Sequence, residues 1–271
     1  MSDINGAQDA ALGLPTVVAP GLAVPPPQAT QGQASGAILK HFGWLIPLLL
    51  GVLAGIGSWA EGSGPPRVIF AAIVLVLVGF CIVVGKLLCN RLDGILVDDR
   101  CRLSLSRFQW LVWFVVIFSG FVTGALLRAK AGQPPLEMDD YMYGLLGIVT
   151  ASPVISGIIL DTKKGDGSAT ATSIGSLDRN QTVADAAWID LVLGEEVANA
   201  SVVDVSRMQK LIVTIILGVV YTGALWNIFG DWAAPGPERM PPVAESFLVL
   251  LGVSHAGYLA SKATPKTAPT G

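Results

Sequence analysis

The chain has 271 residues, 14% of them charged, and a formal net charge of −3. Its mean hydropathy of +0.62 leaves too little polar surface to cover a soluble core of this length. An ordinary water-soluble domain is therefore excluded, and an all-α membrane protein is expected. No Lys/Arg cluster points to nucleic acid, and no nucleic-acid partner is expected.

Residues 1–38 are rich in Pro, Ala, Gly and Gln, contain Asp3 and Asp9, and lack Lys and Arg. A secretory signal needs a basic start and a continuous apolar stretch, and both are missing here. A disordered cytoplasmic tail is expected, with docking through Pro25-Pro26-Pro27 as the sharper alternative.

Crossing roughly 30 Å of hydrocarbon takes about 20 apolar residues in a helix. Six segments approach that length: 42–60, 68–88, 110–127, 141–160, 211–229 and 243–260. The last is the weakest, because Glu245 stands near its mouth and its uninterrupted apolar part is short. The expected organisation is a transmembrane hairpin over 39–89, a unit over 90–160 and a flexible cytoplasmic linker over 161–182. A second unit over 183–262 opens with an amphipathic surface helix at 184–197, and a short cytoplasmic tail covers 263–271. Thirteen Lys and Arg fall at the termini and in the loops after spans two and four, against four in the alternate loops. That bias places both termini in the cytoplasm.

The two units share an ordered set of echoes. Ser106-Arg107-Phe108-Gln109 returns as Ser206-Arg207-Met208-Gln209, and Thr123-Gly124-Ala125-Leu126 as Thr222-Gly223-Ala224-Leu225. Pro134-Pro135 answers to Pro241-Pro242, and Leu145-Leu146-Gly147 to Leu250-Leu251-Gly252. Helices 3–4 and 5–6 are thus expected to be a parallel internal duplication about an axis along the membrane normal.

In each motif copy the Ser and Gln (Ser106, Gln109, Ser206, Gln209) have capping-box spacing at a helix start. The arginines oppose the helix dipole there, so an anion is expected beside Arg107 and Arg207. Lipid phosphate is one candidate, including that of an anionic phospholipid. The upstream carboxylates Asp98, Asp99, Glu195 and Glu196 are the other. Small residues at four-residue spacing, as in Gly51/Gly55 and Gly120/Gly124, suit close helix packing within one chain or in a homo-oligomer.

Thr150, Ser152, Pro153 and Ser156 on span four, with Ser254, His255 and Tyr258 on span six, form a candidate polar lining. They suit either a narrow passage or interhelical hydrogen bonds. Three cysteines (Cys81, Cys89, Cys101) and two histidines (His41, His255) show no metal-ligand spacing, and neither metal nor cofactor is expected. No phosphate-binding loop, nucleophile elbow or zinc-protease motif occurs, so the chain is not expected to be an enzyme.

Four stretches carry a family likeness. They are Gly94-Ile95-Leu96-Val97-Asp98-Asp99-Arg100, Ser104-Leu105-Ser106-Arg107-Phe108-Gln109, Leu193-Gly194-Glu195-Glu196-Val197-Ala198-Asn199 and Leu250 through Ala260. Over residues 90–262 the chain resembles a group of uncharacterised bacterial multi-pass membrane proteins. The resemblance implies a bacterial inner-membrane location and brings no activity with it. The expected function is a membrane anchor, scaffold or assembly partner whose cytoplasmic loops recruit a protein. A small channel or facilitator is the alternative.

Overall fold

The computed structural model describes residues 31–62, 65–165, 169–170 and 172–266; residues 31–42 and 60–62 are described by backbone alone. Six α-helices carry the fold: α1 Gln31–Gly62, α2 Pro66–Cys89, α3 Leu105–Lys130, α4 Asp140–Lys164, α5 Val205–Gly230 and α6 Glu245–Ala263. Among the described residues four helices, α2 to α5, are long and apolar enough to cross a membrane. In α1 the part whose side chains are described, Gly43–Trp59, is an apolar helix. The helix α6 carries Ser254, His255, Tyr258 and Lys262, all buried, so its polar content faces the protein rather than lipid. Residues 31–38, expected to belong to a disordered tail, are helical and open α1; residues 1–30 lie outside the described residues, as do 267–271 of the C-terminal tail.

Local chemistry fixes the helix ends. Pro66 opens α2, where its missing N–H costs nothing, and Asn90 closes it in the left-handed conformation. The Ser104 hydroxyl caps α3 by accepting from the Arg107 amide. Asp139 caps α4 through the Met142 amide, and Asp204 caps α5 through the Ser206 and Arg207 amides. The caps therefore sit two residues before the expected Ser106 and Ser206. Both serines lie inside their helices, and neither Gln109 nor Gln209 acts as a capping-box partner. A carboxylate or hydroxyl at the last extended residue reaches the free amides that a side chain inside the first turn cannot.

The helices α3, α4, α6 and α5 pack as a closed ring in that order, with α2 against α3 and α5, and α1 against α2 and α3. The apolar core contains Trp113, Met142, Leu145, Leu225 and Leu251, extended towards α2 by Ile69, Phe70 and Phe229. Outward faces are aliphatic, with Ile155 and Ile158 on α4, Ile212 and Ile216 on α5, and Val249 and Val253 on α6 all exposed. That inside-out pattern suits hydrocarbon as solvent. Gly120 and Gly124 are needed for packing, because a Cβ would collide with Leu225 and Leu136 respectively, whereas Gly51 and Gly55 face open space.

One end of the ring is covered by a layer of loops. Residues 97–103 form a tight turn closed by a bridge between Val97 and Leu103, and Leu193 bridges Val203 at the corresponding place before α5. The expected amphipathic helix at 184–197 does not form. Two short 3-10 turns stand there, Val183–Asp185 and Trp188–Leu191, followed by irregular chain. Asp190 is buried and accepts from the Ala187 and Leu103 amides at 3.0 and 3.2 Å. The Ala187 amide belongs to the start of the same 3-10 turn, whereas Leu103 lies on the 97–103 turn, so this one carboxylate ties the two loops together.

The linker expected to be flexible is tied down wherever it is described. Strands β1 Ser173–Ile174 and β2 Leu177–Asp178 pair antiparallel, Ser176 donates to the Lys163 carbonyl, and Asn180 bonds both Arg100 and Cys101 main chain. Gly175 makes the hairpin turn at φ +60°, and a Cβ there would overlap the Lys163 carbonyl oxygen. Residues 166–168 and 171 lie outside the described residues.

At the opposite end the two proline-containing loops pair with each other. Glu137 donates to the Glu238 carbonyl and accepts from Met240. The buried Arg128 guanidinium closes them by donating to the Pro134 and Pro237 carbonyls at 2.6 and 2.8 Å.

Candidate functional site: a charged cluster beneath the loop layer

Glu195 organises the polar end. Its side chain is 11% exposed and meets three cations: Arg207 at 2.7 Å, Lys262 at 2.7 Å and Arg100 at 3.0 Å. These come from α5, from α6 and from the 97–103 turn, so one carboxylate joins three separately placed elements. Burial alone would push the Glu195 carboxyl up, but Lys262, Arg207 and Arg100 outweigh it and hold it well below the usual 4.5. Arg100 also takes Asp98 at 2.7 Å. Burial disfavours its charge, yet Glu195 and Asp98 together raise its pKa. Beside it, Arg102 faces Asp178 at 2.9 Å and Asp190 at 3.6 Å. Burial and the neighbouring Arg100 push the Arg102 pKa down.

Below this layer the chain buries a second set of polar groups among the helices. The Lys262 ammonium donates to Ser156 at 2.7 Å and to the Tyr258 hydroxyl at 3.0 Å. The Ser106 hydroxyl lies 3.3 Å from that same Tyr258 oxygen. Lys210 is fully buried. It donates to Ser152 at 2.8 Å and stands 3.8 Å over the Tyr258 ring, with no carboxylate paired to it among the described residues. A ring face and one hydroxyl are what compensate this buried ammonium. Lys163 reaches Glu196 and two carbonyls of the C-terminal segment, at Lys262 and Thr264.

The sequence-derived candidates divide clearly. Arg207 pairs with Glu195, and its guanidinium also donates to the Asp190 and Leu191 carbonyls at 2.7 and 3.2 Å. It is 3% exposed. That burial corrects the expectation of a lipid phosphate at Arg207, because a protein carboxylate already occupies the place. Arg107 is exposed and donates to the Val97 carbonyl at 2.6 Å. Of the expected carboxylate partners, Glu195 alone meets a motif arginine. Asp98 holds Arg100, Asp99 holds Lys164 and Glu196 holds Lys163. Each of these carboxylates finds a cation nearer than Arg107.

Of the expected polar lining, Ser152, Ser156, Ser254, His255 and Tyr258 are all buried. Thr150 is exposed on the outer side of α4 and takes no part, and Pro153 is half-buried. The His255 Nδ1 contacts the Leu251 carbonyl at 2.8 Å, which leaves Nε2 without a partner. Ser254 and both amide atoms of Gln109 are likewise unpartnered and buried. Leaving such atoms unpaired costs about 1–3 kcal/mol each.

Sequence reasoning missed Lys210, Lys262, Lys163, Arg100 and Arg102 as interior ligands, because they had served only as topology markers. A signal was present. Arg207, Lys210 and Thr214 fall at i, i+3 and i+7 on α5, and Ser254, Tyr258 and Lys262 at i, i+4 and i+8 on α6. Two polar stripes at helical spacing inside apolar spans belong to the bundle interior rather than to lipid. Among the described residues no group of three or more His, Cys, Asp or Glu is disposed to hold a metal ion. Comparison with family models, curated proteins and solved structures finds no match.

Proposed function

We propose that the chain is a non-enzymatic integral membrane protein acting as an anchor or scaffold, with the loop layer over 90–104 and 169–204 as a rigid cytoplasmic platform. The observation that carries this reading is Glu195 joined to Arg100, Arg207 and Lys262. Three cations on one carboxylate fix the loops to the helix ends, as a surface that recruits a partner requires. The bias of thirteen basic residues to four supports placing this layer, and both termini, on the cytoplasmic side of a bacterial inner membrane.

Six spans, with α3–α4 and α5–α6 as a parallel duplication, complete the reading. Its supports are α3 and α5 of 26 residues each, starting at Leu105 and Val205, and the paired bridges Val97–Leu103 and Leu193–Val203. Reporters fused after Gly132 or Gly236 should read external, and one after Gly165 internal. The function itself is tested by purifying the protein from its own membrane with cross-linked partners. Glu195→Gln should release a partner that Thr150→Ala retains. Recovery of every partner by Glu195→Gln, Glu196→Gln, Arg107→Gln and Arg207→Gln would sink the platform reading.

A small channel or facilitator is the second reading, favoured by the unpartnered buried atoms of Gln109, Ser254 and His255. Vesicles that show no ion or small-solute flux with either wild type or Lys210→Met would remove it.

A further inference from the structure

Arg107 and Lys164, which the Glu195 cluster does not use, line a cavity of about 140 Å³ between the start of α3 and the last turns of α4. At about 30 Å³ per water this is room for four or five waters. Asp99, Arg107, Asp161 and Lys164 supply its charged walls, and Gly157 and Leu160 an apolar one.

The charges here are not evenly matched. Arg107 spends one guanidinium N–H on the Val97 carbonyl, and among the described residues no carboxylate pairs with it. Asp99 and Asp161 share one cation, Lys164, and remain 58% and 74% exposed. Asp98, also on the wall, is turned to Arg100. With Arg100 included, the three carboxylates and the three cations Arg100, Arg107 and Lys164 cancel. The cavity is therefore neutral as a whole but two-poled, with a spare guanidinium at one place and a surplus carboxylate at another.

A ligand that satisfies both poles carries an anion and an ammonium on one small group. Guanidinium binds phosphate through parallel N–H donors, and exposed carboxylates accept from a primary ammonium. The setting agrees with a lipid source. The cavity opens at the ends of two apolar helices, and its apolar wall continues along α4 to the exposed Val154 and Ile158, a path for acyl chains. We propose that this cavity binds the headgroup of a phospholipid bearing a primary amine, with the phosphate on Arg107 and the ammonium on Asp99 and Asp161.

The site rests on the membrane-spanning reading and not on the platform role, so loss of every protein partner would leave it standing. The full chain is to be placed in nanodiscs of equal parts phosphatidylethanolamine, phosphatidylcholine and phosphatidylglycerol, and its retained lipids weighed by native mass spectrometry. Ethanolamine lipid should be enriched about tenfold over choline lipid, whose trimethylammonium has no N–H to donate. Arg107→Gln should lower retention of all three lipids about tenfold, and Asp161→Asn should remove the preference for ethanolamine over glycerol lipid. Gly157→Leu fills the cavity from open space and should displace the lipid; Gly147→Leu, equally free of neighbours but away from the cavity, should not. Helical circular dichroism of each variant separates displacement from misfolding. Equal retention of the three lipids by wild type, or unchanged retention by Arg107→Gln, would overturn the assignment. Displacement of the lipid by millimolar inorganic phosphate, together with loss of headgroup preference, would reassign the site to a free anion and equally overturn it.

Discussion

The starts of α3 and α5 carry the same Ser-Arg-x-Gln letters one hundred positions apart, yet they are opposites in burial. At α3 the arginine, Arg107, is exposed and the glutamine, Gln109, is buried with no partner. At α5 the arginine, Arg207, is buried against Glu195 and the glutamine, Gln209, is exposed. Helix geometry is shared, since both copies follow a polar cap at 104 or 204. The environments differ because the loop before α5 folds back over the bundle and brings Glu195 with it, whereas the turn before α3 sends Asp98 to Arg100. A repeated motif thus guarantees a repeated backbone and leaves the partner of each side chain to the rest of the fold.

The comparison breaks most visibly at Glu195. Replacing it by Gln leaves three cations facing one another in a nearly dry site, and breaking a buried pair this way costs about 3–5 kcal/mol. Unfolding in mixed detergent should show that loss. Proteolysis of the 169–204 layer should accelerate with it.

The arginines sharpen the contrast next. Arg207→Met strips Glu195 of its α5 cation and should cost about 3 kcal/mol, while Arg107→Met should stay within about 0.5 kcal/mol of wild type. Equal losses would refute the difference in environment.

Acid provides a test without mutation. Glu195 is held below its unfolded value of 4.5 by Lys262, Arg207 and Arg100, against the opposing effect of burial. A depressed carboxyl contributes stability that is fully present above the unfolded pKa and fades as pH falls through the folded one. The loop layer should therefore be unchanged from pH 8 to about 5 and loosen only in stronger acid, as followed by hydrogen exchange. Glu195→Gln should flatten that acid limb.

The glutamines come after. Gln109→Met removes two unpartnered polar atoms and should stabilise the protein by about 1 kcal/mol, whereas Gln209→Met should be neutral. A destabilised Gln109→Met would mean that its amide has partners in the membrane. The smallest contrast is at the caps. Ser104→Ala should cost about 0.5 kcal/mol and Asp204→Ala about 1 kcal/mol, because the Ser104 hydroxyl accepts from one amide at 3.5 Å whereas Asp204 accepts from two, at 2.9 and 3.3 Å.

Much of the architecture was legible from sequence because hydrocarbon demands it. Apolar runs marked where helices form, and the ordered echoes marked the matching starts of α3 and α5. Ser152, Ser156, Ser254, His255 and Tyr258 stood out as polar letters in apolar runs, and all five are buried. Thr150 looked identical in the sequence and faces outward, because α4 turns it roughly 140° around the helix from the Ser152–Ser156 stripe. Lys210 and Lys262 were missed for the opposite reason: a lysine near a span end reads as a snorkelling anchor. The closeness of α5 to α6 turns Lys210 onto the Tyr258 ring, while Lys262, four residues from Tyr258 on α6 itself, is drawn inward by Ser156 of α4 and by Glu195.

Sequence alone determined that the chain is mostly helical, where the segments apolar enough to cross a membrane run, and that Ser-Arg-x-Gln stands at two helix starts. Those properties depend on local hydropathy and on neighbours a few residues away. The tertiary structure alone decided which charge meets which. Glu195 lies 12 residues from Arg207 in sequence, but 95 from Arg100 and 67 from Lys262. Charge pairing in a low-dielectric site depends on distances of a few ångströms, and no pattern along the chain encodes those.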